Sequence, residues 1–162
     1  MESLHGTRSV SSPHIRRSIS RQIELKVHVS KVVLLPRAFQ GAKKSCYNNP
    51  PLVYKSLLLL ANEYRNMKLG LIEPEEYQKA RDVLQIRDGG SIDEDHAGEY
   101  GDTYYVRYPI GSSAKRFLEF HLRSRSNTRD PERCLAIYYF WDDETQQVVV
   151  GWLPGHLENK MT

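Results

Sequence analysis

The sequence predicts an α+β domain in which a central antiparallel sheet packs against two helices. Three observations carry this expectation. One alternating apolar/polar segment stands near the N-terminus, two segments of helical periodicity fill the middle, and short β-type segments fill the C-terminal part. The sheet is therefore expected to hold one N-terminal strand and about four C-terminal strands.

The clearest segment is 133–157, RCLAIYYFWDDETQQVVVGWLPGHL. Two apolar runs, 134–141 and 148–153, flank the polar link 142–147, and a link this short makes the runs antiparallel. In the first run Cys134, Ala136, Tyr138 and Phe140 point one way while Leu135, Ile137, Tyr139 and Trp141 point the other. Both faces are apolar, which places this strand inside a sheet covered on two sides. Pro154-Gly155-His156 stops the second run and sets a histidine just past the sheet.

Residues 1–21 are Ser- and Arg-rich with one acid, which reads as a disordered basic tail; a transit peptide or a misplaced start codon has the same composition. Residues 22–162 then make a single α+β domain. Ile23, Leu25, Val27 and Val29 alternate with polar residues as in a half-exposed strand ending before Pro36, and 37–45 suits a short helix. After the break Asn48-Asn49-Pro50-Pro51, a helix is expected over 52–69. Its buried stripe is Val53, Leu57, Leu60, Tyr64 and Met67, and Gly70 is its C-terminal cap. Pro74, Glu75 and Glu76 open a second helix whose stripe is Tyr77, Ala80, Val83 and Leu84. Residues 85–102 read as an acidic loop turning at Gly89-Gly90. Strands follow at 104–108 and 116–123, with Leu118, Phe120 and Leu122 on one side and Phe117, Glu119 and His121 on the other.

Of the 162 residues 40% are hydrophobic and 27% charged, ordinary for a soluble domain. No apolar run approaches the ~20 residues that span a bilayer. Cys46 and Cys134 are too few for a disulfide scaffold and lack metal-ligand spacing, so a reducing, cytoplasmic location is expected and Cys134 reads as a small buried hydrophobe. Residues 73–102 hold ten acids against three bases, a net of −7, which leaves +10 on the rest of a chain whose total is +3. Such asymmetry points to a basic, anion-facing surface, or to no more than a solvated acidic loop.

No Walker loop, Rossmann glycine pattern, nucleophile elbow or zinc-protease motif is present. Asp93, Asp95 and His96 lack the spacing of a calcium loop, so no metal and no cofactor is expected. What remains is a set of bases, Arg107, Lys115, Arg116, Arg123, Arg125, Arg129 and Arg133, interleaved with Tyr104, Tyr105, Tyr108, Tyr138 and Tyr139. Arginines grip phosphates and aromatic faces stack unpaired bases, a mixture that suits RNA; an exposed sheet with arginine ladders has the same composition. His121 and His156 are the histidines of this region that can move protons near neutral pH; equally, one is a surface strand residue beside Glu119 and the other a turn residue.

The stretches RQIELKVHVSKVVLLPRAF, RFLEFHL and RCLAIYYFWDDETQQVVVGWLPGHL, in the order strand, two helices, antiparallel strands, resemble the RelE/ParE toxin superfamily. The resemblance is one of layout from residue 22 onward. It implies a toxin acting on RNA or the ribosome as a metal-independent mRNA endoribonuclease, with an antitoxin covering its active face. Arg107, Arg123 and Arg133 would then hold phosphates, helped by Arg125, Arg129 and Tyr139. His121 or His156 would serve as base or acid, and Arg133 would stabilise developing charge. The tail, the length and the acidic loop depart from the usual compact toxin, and an acidic loop lying on the basic face would make a regulated or inactive member. The rival readings are a non-catalytic protein- or nucleic-acid-binding module, and a structural subunit with Trp141 and Trp152 at an oligomer contact.

Overall fold

The computed structural model describes residues 31–157 except Asn127. Along the chain it contains β1 (Val32–Leu34), α1 (Pro36–Lys44), α2 (Pro50–Leu59), a π-helical turn (Leu60–Tyr64), α3 (Arg65–Lys68) and α4 (Pro74–Val83). There follow β2 (Ile86–Gly90), α5 (Glu94–Ala97), a 3-10 segment (Gly98–Tyr104), β3 (Tyr105–Arg107), β4 (Lys115–Phe117), β5 (Phe120–Ser124), β6 (Ala136–Asp142) and β7 (Gln147–Trp152). The architecture is α+β: a five-stranded sheet in the order β1-β7-β6-β5-β2, plus the two-stranded ribbon β3-β4. The expected basic tail 1–21 and the alternating stretch 22–30 lie outside the described residues.

Every residue of β6 is buried, and its two apolar faces feed two cores. Leu135, Ile137, Tyr139 and Trp141 join the core formed with α1, α2 and α4, as their alternation predicts. Ala136, Tyr138 and Phe140 join the second core, where Val106 and Leu118 of the ribbon side, Tyr104 and Leu157 cover the sheet. Burying an aliphatic or aromatic side chain is worth about 1.5–3 kcal/mol, so this one strand is a large share of the driving force.

The helices begin and end where local chemistry allows. Asn49 Oδ1 accepts from Leu52 N (3.3 Å), and Pro50 and Pro51 occupy first-turn positions whose amides have no partner to lose. Gly70, at φ +69°, closes the helical run, with Gly70 N donating to Met67 O (3.0 Å) and Leu71 N to Asn66 O (2.8 Å). At α4 the Glu76 carboxylate turns back to accept from Glu73 N (3.3 Å).

Four expectations need correction. β1 pairs parallel with β7 and the other pairings of this sheet are antiparallel, because alternation sets a residue's face but carries nothing about strand direction. Residues 86–90 of the expected acidic loop form β2, and Gly89-Gly90 lie in that strand opposite His121 and Phe120 rather than at a turn. Val83 is 81% exposed: it is the last residue of α4, and Tyr77 is the residue of that helix that is fully buried. The expected single strand 116–123 breaks at Leu118-Glu119, so Leu118 enters the second core while Phe120 and Leu122 pack on the first.

Trp141 is buried within its own chain and donates Nε1–H to Asp143 Oδ1 (2.6 Å), and half-buried Trp152 donates to Gly155 O (2.8 Å). Neither indole stands out as an oligomer anchor. Among the described residues no helix is long and apolar enough to cross a membrane.

Gly151 is the close approach that lets the ribbon sit on the sheet. Tyr138 pairs with Trp152 but Tyr139 with Val150, so Gly151 is the extra residue of a β-bulge. A Cβ there would collide with the Leu118 side chain and stand 2.8 Å from Val106 Cγ1. Gly151→Ala should therefore lower stability by about 1–3 kcal/mol in denaturant melts. Gly89→Ala, where a Cβ meets nothing within 4 Å, should shift it by no more than about 0.5 kcal/mol; equal losses would show that the bulge tolerates a side chain.

Candidate functional site

The candidate site lies at the start of β6, on the second face of the sheet. Two hydrogen bonds fold the chain after β7 back onto that strand, and a third ties the turn to the end of β7. Ala136 N donates to Pro154 O (2.6 Å), Trp152 Nε1 to Gly155 O (2.8 Å), and Leu157 N to Tyr138 Oη (3.4 Å). Leu157 is buried as an anchor, which leaves His156 exposed with its ring edge-on to Tyr138 (6.3 Å, 87°). From the other side β5 sets His121 opposite Tyr138 and Arg123 opposite Ala136. The His121 ring stacks on Tyr138 at 5.4 Å and 20°.

The loop between β5 and β6 closes over this corner. Asp130 O accepts from Arg133 N (2.9 Å) and Cys134 N (2.7 Å), and Thr128 Oγ1 accepts from Asp130 N (3.1 Å). The result is a cavity of about 320 Å³ lined by Arg123, Ser124, Ser126, Thr128, Arg129, Cys134, Leu135, Ala136 and His156. Its wall carries two arginines, an imidazole and three hydroxyls, and no carboxylate. Among the described residues neither Arg123 nor Arg129 pairs with an acid, whereas Arg81, Lys115, Arg125 and Arg133 all do. Arg87 pairs with Arg123 across β2 and β5, adding a further base beside the cavity. Two uncompensated guanidiniums side by side repel one another unless an anion lies between them.

Burial pushes the His121 pKa down, and the nearby charges of Arg123 and His156 push the same way, so His121 is held neutral. Its ring bonds the Gly90 backbone carbonyl, while Nδ1 is buried without a partner among the described residues. The proton therefore sits on Nε2. Burial likewise raises the Cys134 thiol, with the His156 backbone amide partly countering it, so Cys134 is a protonated wall group rather than a nucleophile.

The structure separates the residues that sequence reasoning grouped. Arg123, Arg129 and His156 share the cavity, and His121 lies behind it against Tyr138. Arg133 does not line the cavity; its Nε donates to Asp130 Oδ2 at 2.9 Å in a solvent-exposed ion pair. Arg125 Nη2 pairs with Asp82 Oδ1 at 3.0 Å. Arg107 lines a different cavity, beside α1 and the ribbon. Tyr139 is 1% exposed in the core against Tyr64 and Phe120, so no base can stack on it; its neighbour Tyr138 is the tyrosine that faces the site side. Ser124, Ser126, Thr128 and Cys134 are polar lining residues that the sequence did not assign to a site, and Arg87 stands outside the lining as the register partner of Arg123. Arg87 was hidden inside an acidic stretch, and register alone brings it to Arg123.

Comparison with known proteins returns no match: no family model, curated protein or solved structure is similar to this chain.

A depressed histidine pKa has a stability consequence of definite sign. Folding favours the neutral His121 ring, so its contribution is complete above the ordinary value of 6.5 and is lost as pH falls below it. The melting temperature should drop as pH falls below 6.5, and His121→Phe, which keeps the stack on Tyr138, should flatten that slope. An unchanged slope in the variant would show that His121 is not the group responsible.

Proposed function

We propose that the cavity binds a phosphodiester of single-stranded RNA and that the chain is a RelE-like toxin cleaving mRNA without a metal. The observation that carries this reading is the pairing of Arg123 and Arg129 with His156 on one wall that holds no carboxylate. Arginine forks match phosphate oxygens in charge and shape, and the site corner is large enough for one such group with its ribose. The RelE/ParE-like layout adds the expectation that the target is mRNA on the ribosome and that an antitoxin covers this face.

The chemistry needs one mobile proton and a neutralised phosphate. His156 accepts the proton of the ribose 2′-hydroxyl as its oxygen attacks phosphorus, and returns a proton to the departing 5′-oxygen. A 2′,3′-cyclic phosphate and a free 5′-hydroxyl result. Arg123 and Arg129 hold the non-bridging oxygens and stabilise the charge that builds on them. His121 is a positioning residue that fixes Tyr138, the ring against which His156 rests. The second reading, a non-catalytic RNA-binding module, draws on the same wall: His156 is the one histidine that lines the cavity, so a separate acid is not supplied there.

The test is cleavage of a reporter mRNA in a cell-free translation reaction, mapped by primer extension. The intact chain should truncate the message, and His156→Ala should slow this by about 10²–10⁴-fold while leaving the melting temperature unchanged. Arg123→Ala should weaken binding to a fluorescent single-stranded RNA and reduce the salt slope of log K by about 0.7. Arg133→Ala should behave as the parent. Binding without cleavage would favour the module, and neither binding nor cleavage would remove RNA as the target.

A further inference from the structure

We propose that a second cavity, between the start of α1 and the β3-β4 ribbon, is a binding site for a small amphipathic carboxylate, an apolar chain carrying one anionic head. The cavity is about 420 Å³, within the range of small-molecule sites, and lies apart from the residues of the proposed RNA site. Leu35, Pro36, Val106 and Ile110 make its walls apolar. Ile110 is 66% exposed at the mouth, where a large aliphatic side chain gains nothing from water.

The rim is cationic. Arg107 and Lys115 are register partners on the ribbon, and Arg37 reaches in from the first turn of α1. Lys115 is already paired with Asp102 at 2.6 Å. Arg37 is held in place by stacking over Trp152 at 5.1 Å and by donating Nη1–H to Thr103 O at 2.9 Å, yet it has no carboxylate partner among the described residues. Arg107 makes no ion pair within 4 Å among the described residues, though its charge reaches Asp102, the one carboxylate on the cavity wall. Three bases, Arg37, Arg107 and Lys115, against the single acid Asp102 leave the rim of an apolar pocket with a net positive charge, which selects a ligand that is anionic at one end and apolar at the other. A polar phosphodiester would leave the walls wet, and a neutral lipid would leave the arginines unpaired.

Decanoate is the probe. Isothermal titration at a concentration below micelle formation should show saturable binding of one decanoate per chain, with quenching or a shift of Trp152 emission as Arg37 engages the head. Arg107→Ala, an exposed position expected to fold normally, should weaken binding at least tenfold, and Ile110→Asp should abolish it. Decan-1-ol, with the same chain and no charge, should bind at least tenfold more weakly than decanoate. RNA binding by the parent should be unaffected, so this outcome stands or falls apart from the RNA site. Absence of saturable binding would overturn the proposal. So would equal affinity for decanol and decanoate, or a folded Arg107→Ala variant that binds as the parent does.

Discussion

The burial of β6 on both faces is the constraint on which the rest of the structure depends. A strand with apolar side chains on each side needs a partner strand at each edge and a covering layer on each face. β5 and β7 supply the edges, the helices supply one cover, and the ribbon with its preceding 3-10 segment supplies the other. The helical cover reaches the tyrosine set Tyr64, Tyr77 and Tyr139, whose rings meet edge to face at 5.3–5.5 Å. The ribbon is fastened at Asp142, which is 4% exposed and accepts from Tyr108 Oη (2.6 Å) and Thr145 Oγ1 (2.7 Å). Burial works to raise that carboxyl's pKa, but these donors outweigh it and hold Asp142 ionised.

The two covers differ in extent, and that difference makes the site. The second-face core gathers around Tyr138 and Phe140, and past Ala136 the wall is finished by a loop and by the turn after β7. Backbone hydrogen bonds from Ala136 and Leu157 fix that turn, so the position of His156 is set by the same strand that holds the core. Polar and charged side chains collect where apolar cover runs out. The cavity is the polar end of a packed sheet rather than a separate module.

What the sequence revealed follows from which physics is local. The alternation in 134–141 assigned each side chain to its face, and Gly70 and Pro74 marked helix ends, because periodicity and capping depend on near neighbours. The break at 48–51 was visible, but that Asn49 caps a helix already begun at Pro50 was not. Register and strand direction depend on distant partners. Arg87 against Arg123, β1 parallel to β7 and the break at Leu118-Glu119 therefore had no local signature. Arg133 looked as available as Arg123 in sequence, and only the fold shows that Asp130 engages it. Alternation put Tyr138 and Tyr139 on opposite faces, but only the fold shows that Tyr138 lies beside His121 and that Tyr139 is enclosed against Tyr64 and Phe120. Composition showed that bases were plentiful; it did not show which lacked acids.

The most direct measurement of the central claim is side-chain ¹H–¹⁵N spectroscopy of the arginines and histidines during titration with a short RNA methylated at every 2′-hydroxyl, which binds without being cut. The resonances of Arg123, Arg129 and His156 are expected to move together and saturate at one equivalent, while those of Arg125 and Arg133 stay in place. Movement at Arg125 or Arg133 with Arg123 and His156 unchanged would contradict the account.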